Sequence, residues 1–118
     1  MKYIKQAALF GAGLVITACA QAPEPPQNTF SFVGKITVVD GKQAEFRALM
    51  QEAFKGMTEC ISCKIMADIK EPNVVWVAET WPSKAAHDAV LDAPDLQEIF
   101  AKGRPMITNM QRMAESGH

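Results

Sequence analysis

The run Val74-Val75-Trp76-Val77-Ala78-Glu79-Thr80-Trp81, VVWVAETW, decides the architecture of this chain. Its branched and aromatic residues follow the turn signal Lys70-Glu71-Pro72-Asn73 and predict a β-strand. Successive side chains of a strand point to opposite faces. Trp76 and Ala78 therefore face one way, and Val75, Val77 and Trp81 the other. Both faces are apolar, whereas a strand covered on one side alternates apolar with polar residues. The sheet holding this strand should be covered on both sides, and the rest of the chain has too little helix to do that alone. A second copy of the chain would supply the cover, so a homodimer is expected.

The neighbouring segments read outward from that strand. Ile61 to Ala67 predicts a second strand, with Ile61, Cys63, Ile65 and Ala67 on one face and Ser62, Lys64 and Met66 on the other. Before it, Lys42 to Met57 changes period: Phe46, Leu49, Met50, Ala53, Phe54 and Met57 form the stripe of an amphipathic helix, and Gly56 is a plausible terminator. Phe30 to Val39, FSFVGKITVV, reads as the first strand and ends at the turn Asp40-Gly41. Downstream, Ser83 can cap a helix from Lys84 to Leu91. Asp92 and Pro94 open another that ends near Gly103, and Met106 to Met113 supplies a last strand. The order βαββαβ is that of a ferredoxin-like α+β sandwich.

The first residues read as an export leader, 1–18. Lys2 and Lys5 precede an apolar run, Ala7 to Ala18, that is shorter than the about 20 residues of a membrane-spanning helix. The run ends in Ile16-Thr17-Ala18-Cys19, which resembles a bacterial lipobox with Cys19 as the lipidated residue; ordinary cleavage after Ala18-Cys19-Ala20 is the alternative. Ala20 after the cysteine resembles lipoproteins sent to the periplasmic face of an outer membrane. Residues 19–29 are rich in Pro and Gln and form a tether, leaving one domain, 30–118. Membrane contact is thus expected through the lipid anchor only. Without Lys2 and Lys5, ten basic residues face thirteen acidic ones, and no basic cluster suggests nucleic acid. No HExxH, phosphate-binding Gly-rich loop, GxSxG or paired-carboxylate arrangement occurs.

The segment EPNVVWVAETWPSKAAHDAVLDAPDLQEIFAKGRPMI, Glu71 to Ile107, resembles the antibiotic biosynthesis monooxygenase (ABM) superfamily, in its quinol monooxygenase branch. Glu79-Thr80-Trp81 followed by Ser83, Ala86 and Pro94 are its most specific parts. Asp40-Gly41-Lys42 before an amphipathic helix, and a Cys at the start of the second strand, agree with it. The resemblance implies a ferredoxin-like unit that pairs sheet to sheet into a dimeric α+β barrel. It also implies oxygenation of a small aromatic or quinol substrate with neither metal nor flavin. The substrate pocket would lie between helices and sheet. A non-catalytic domain that holds an apolar ligand such as a quinone or haem, or a structural lipoprotein, are the readings from other classes.

His87 flanks the apolar face of its helix, one turn from Val90 and Leu91, and is the candidate catalytic base. An imidazole, with an ordinary pKa of about 6.5, can take a phenolic proton near neutral pH. A half-buried histidine bonded to a backbone carbonyl would look the same in sequence. By resemblance, relatives carry helix histidines at the positions held here by Val90 and Asp95, and the haem-degrading branch uses an Asn that this first strand lacks. Phe54, Cys63, Trp76, Glu79 and Trp81 are the candidate pocket residues, one tryptophan facing the pocket and the other the dimer interface. Glu79 shares the face of Trp81, as an interface ion pair or a pocket acceptor. Met50, Met57 and Met66 fit core positions, where methionine fills gaps.

The chain has three cysteines, and Cys60 and Cys63 form a CxxC. In an oxidising compartment an even pair favours a disulfide. At the start of a strand, however, residues three apart point to opposite faces and lie about 10 Å apart, against the less than about 7 Å between Cα atoms that a disulfide needs. Unless Cys60 leaves the strand in a tight turn, the two sulfurs are not expected to meet.

Overall fold

The computed structural model describes residues 29–117. The leader, the lipobox cysteine Cys19 and nearly all of the tether lie outside the described residues. Strand β1 (Phe30–Val38) leads through a turn to helix α1 (Gln43–Gly56). Strands β2 (Ser62–Ala67) and β3 (Val74–Trp81) form a hairpin. Helices α2 (Lys84–Val90) and α3 (Pro94–Gly103) follow, then a single 3-10 turn, Arg104–Met106, and strand β4 (Ile107–Gly117). The four strands make one antiparallel sheet in the order β2-β3-β1-β4. Helices cover one face, which is the ferredoxin-like α+β arrangement.

Local chemistry sets the boundaries. Gly41, at φ 81°, occupies the left-handed region in the turn that ends β1, where a side chain would be strained. The Ser83 hydroxyl accepts a hydrogen bond from the Ala86 amide at 3.0 Å and caps α2. Pro94 begins α3, where its missing N–H leaves no helix bond unmade. β1 buries Phe30, Phe32, Gly34, Ile36 and Val38 and half-exposes the residues between them. β3 does the same with Val75, Val77, Glu79 and Trp81, so both central strands turn one face to the helices. Phe46 and Ala53 from α1, with Leu96 from α3, close the core over that face. α3 approaches α1 closely at Gly103, where a Cβ would stand 3.3 Å from Leu49 Cδ2.

The second face of the sheet differs from the one expected. Trp76 and Ala78 do lie on it, but the neighbouring strands add Ser31, Lys35, Thr37 and Lys64 beside them. Trp76 is half-buried there. Its Nε1 donates to Asp68 Oδ1 at 2.9 Å, and Lys35 Nζ stands 5.8 Å from its ring centre. Asp68 also accepts the Lys70 and Glu71 amides, which ties the β2–β3 turn. The Trp76 bond, followed by those two, holds the Asp68 carboxyl below its usual range. Met66, read as a core residue, is 44% exposed because it too lies on this face, at the sheet edge.

The expectation for the CxxC is overturned. Cys60 and Cys63 form a disulfide, with their Cα atoms 6.2 Å apart. The strand argument fails because Cys60 is not in the strand. Its amide donates to the Met57 carbonyl at 3.0 Å, closing a turn after α1, and β2 begins only at Ser62. The bend at Ile61 brings the sulfurs together.

The core position of Phe46, 1% exposed between α3 and the sheet, makes it the side chain whose truncation should be felt most in this layer. Phe46→Ala is expected to lower unfolding free energy by about 3–5 kcal/mol, read from urea denaturation followed by circular dichroism.

Candidate functional site

A cavity of about 530 Å³ lies between the helices and the β1–β4 side of the sheet. That is within the usual range for small-molecule sites. Apolar side chains make most of its wall: Phe32 and Ile36 from β1, Leu49 and Met50 from α1, Val90 from α2, and Phe100 from α3. Gly34 belongs to the same wall, and the side chain it lacks leaves that space open; a Cβ there would meet Val77 Cγ2 at 3.1 Å.

Four polar side chains meet this wall where β3 ends and α2 begins. Glu79 is 8% exposed, and its Oε1 accepts the Trp81 Nε1 hydrogen at 2.8 Å. His87 sits against the rings of Phe30, Phe32 and Trp81, with ring centres 5.5, 5.2 and 5.5 Å away. Arg112 lays its guanidinium carbon 3.9 Å from the centre of the Phe32 ring, a cation–π geometry, and pairs with Glu115 at 2.6 Å. Glu79, Trp81, His87 and Arg112 all line the cavity.

The two carboxylates near His87 have opposite surroundings. Burial pushes the Glu79 carboxyl above its ordinary range; the Trp81 hydrogen bond and the nearby His87 and Arg112 only partly offset this. Asp88 is exposed and held below its ordinary range, first by Lys84 and then by His87. Lys84 Nζ stands 2.9 Å from Asp88 Oδ2, and His87 Nδ1 stands 2.9 Å from Oδ1. An ionised carboxylate can only accept, so the neutral imidazole must carry its proton on Nδ1. That leaves Nε2 as the nitrogen with a lone pair, the form a general base requires.

Of the six residues singled out in sequence, the structure brings Glu79, Trp81 and His87 together. Phe54 and Cys63 meet elsewhere, in a shallow groove along the outer edge of β2 with Gln51 and Met66. Trp76 is on the far face of the sheet, because alternation from Trp81 puts it there. These three stand outside the cavity wall. Val90 lines the cavity one turn beyond His87, whereas Asp95 is exposed in the first turn of α3.

Two residues were missed. Asp88 is exposed on α2, and its carboxylate fixes the ring of the preceding residue. Arg112 reaches the site through a β-bulge. Val33 pairs with Ala114 but Gly34 pairs with Arg112, so Met113 is the extra residue and Arg112 turns to the cavity face. Unbroken pairing would have set Arg112 opposite Lys35, on the other face. Among the described residues no group of three or more His, Cys, Asp or Glu side chains converges as a metal site.

The antibiotic biosynthesis monooxygenase family model matches residues 29–102. The chain is 28% identical to a candidate antibiotic biosynthesis monooxygenase from Chloroflexus aurantiacus. That match has a TM-score of 0.66 and covers 76% of this chain and 95% of the other. A candidate member from Nitrosomonas europaea superposes with a TM-score of 0.69 over 81% of this chain and 95% of its own, at 8% identity, a likeness of fold. A third, from Bacteroides thetaiotaomicron, is 16% identical with a TM-score of 0.65, covering 72% and 85%. No curated protein matches the chain.

The buried Glu79 makes stability depend on pH with a definite sign. Its carboxyl binds a proton more tightly in the folded chain than at its ordinary value of 4.5. Its contribution is therefore fully present below that pH and is lost as pH rises through the folded value. Glu79→Gln keeps an oxygen for Trp81 Nε1 and removes the charge. The variant should match the parent near pH 4 and melt at a higher temperature by pH 8, which thermal unfolding across that range would show.

Proposed function

The chain belongs to the antibiotic biosynthesis monooxygenase family, and on that premise we propose that it oxygenates a small phenolic or quinol substrate without a metal or flavin. The observation that carries this reading is the apolar cavity ending in His87, whose ring is fixed by ionised Asp88 with Nε2 left to take a proton. A substrate hydroxyl placed there gives its proton to Nε2. The electron-rich anion that forms is enclosed by Phe32, Trp81 and Phe100, away from water, and faces the cationic Arg112. The anion then reduces O2. For a quinol the balance is one quinol and one O2 giving a hydroxyquinone and water, all four electrons coming from the substrate.

We further propose that the chain is exported, anchored through Cys19 at the periplasmic face of an outer membrane, and dimeric. The leader and lipobox support the first two points. Trp76, Ala78 and Val33, on the sheet face that none of the described helices covers, support the third.

Oxygen uptake with a panel of hydroquinones and anthrones should reveal turnover, and His87→Ala should lower kcat/KM by about 10²-fold or more. Unchanged turnover in that variant would remove His87 as base. Sedimentation equilibrium at micromolar concentration is expected to return twice the chain mass; a monomer would leave the second sheet face to solvent.

A further inference from the structure

The Cys60–Cys63 pair has no part in the chemistry above, yet it lies directly behind it. Cys63 is the cross-strand partner of Glu79, and Ser62 is that of Thr80. Directly paired residues of an antiparallel ladder point to the same face with Cβ atoms about 5 Å apart. Cys63 therefore flanks the carboxyl that accepts the Trp81 hydrogen. The Ile61 amide donates to the Thr80 carbonyl at 2.8 Å, and Cys60 Sγ stands 3.6 Å from that same oxygen. Thr80 is the residue between Glu79 and Trp81. The cross-linked bend thus meets Glu79 across the ladder and holds the Thr80 carbonyl, the link in β3 between the two cavity residues Glu79 and Trp81.

The bend is also reachable. β2 is an edge strand, and Glu59, Ile61 and Ser62, which flank or separate the cysteines, are all exposed. The Cys60–Met57 turn and the Ile61–Thr80 hydrogen bond shape the bend, and the disulfide locks its ends at 6.2 Å; a continuous strand would hold them about 10 Å apart. A dithiol gives its two electrons and two protons to the S–S bond, becomes a disulfide itself, and leaves two thiols at Cys60 and Cys63. The bend is then free to open. A Cys60 thiol also gains the hydrogen that the disulfide lacks, next to a Thr80 carbonyl already engaged by Ile61.

We propose that Cys60–Cys63 is a thiol–disulfide exchange site for a dithiol reductant, and that its state sets ligand affinity in the cavity through Glu79 and Trp81. The closed disulfide is the high-affinity state. Reduction loosens the start of β2 and lets the Glu79–Trp81 pair drift from the geometry that shapes the cavity's polar end. The inference rests on the cavity being a site for aromatic ligands, as proposed above, but not on any turnover.

The test uses the full chain and 2-naphthol, a neutral aromatic alcohol, with binding followed by quenching of tryptophan emission. Intact mass should rise by two hydrogens on adding a phosphine reductant. The dissociation constant should rise by about threefold or more on reduction and return on reoxidation. The Cys60→Ser/Cys63→Ser double variant should bind weakly with or without reductant. Equal affinity in both redox states would overturn the switch while leaving the cavity reading intact. A double variant that binds like the oxidised parent would also overturn it. Loss of cooperative unfolding on reduction would overturn it as well, making the bond a structural staple. No 2-naphthol binding in either state would refute the cavity reading, and this inference with it.

Discussion

The pairing of β1 with β3 is the constraint from which the rest of the molecule follows. Phe30 opposes Trp81, Phe32 opposes Glu79 and Gly34 opposes Val77. Because side chains alternate, slipping β3 by one residue against β1 would send Trp81 and Glu79 to the open face and bring Trp76 and Ala78 into the core. The two outer strands take their places from these two. β2 sets Cys63 beside Glu79, and β4 sets Glu115 beside Phe32, so a single row runs Cys63, Glu79, Phe32, Glu115 across the sheet. α2 then lays His87 over that row between Phe30, Phe32 and Trp81. The disulfide, the buried acid and the histidine are neighbours because one register holds.

Local periodicity made most of the fold legible. The stripe from Phe46 to Met57, the capping serine at position 83 and the β-rich run of β3 each depend on residues within one element, and each formed where it was read. The order βαββαβ follows from them. What escaped depends on contacts between elements. The facing of Arg112 is set by a bulge in β4, and nothing near Met113 in the chain announces an extra residue there. The disulfide turned on where β2 begins, a boundary that the Met57–Cys60 turn moves past Cys60. The second sheet face looked apolar in β3 alone, while Lys35, Thr37 and Lys64 from the adjoining strands make it mixed. Phe54 belongs to the apolar stripe of α1 but lies over β2, beside Cys63, and so misses the cavity.

The electrostatics of the site rest on two acids in unlike surroundings. Asp88, in solvent and bonded to Lys84, keeps its charge and so decides which nitrogen of His87 holds the proton. Glu79, buried beside Phe32 and Trp81, binds its proton more tightly than an exposed acid does. Were Glu79 fully ionised, it would repel the substrate anion of the proposed reaction and compete for Arg112. Burial lowers that repulsion without removing the hydrogen bond that steadies Trp81, since a protonated carboxyl still has an oxygen to accept Nε1. Arg112 brings a cation to the same end of the cavity, paired with Glu115. In the proposed reaction one carboxylate positions the base, and the other, whose burial disfavours its charge, opposes the anion less than an exposed acid would. That division follows from surroundings, since burial raises Glu79 while the Lys84 and His87 hydrogen bonds lower exposed Asp88, although the two side chains differ by only one methylene.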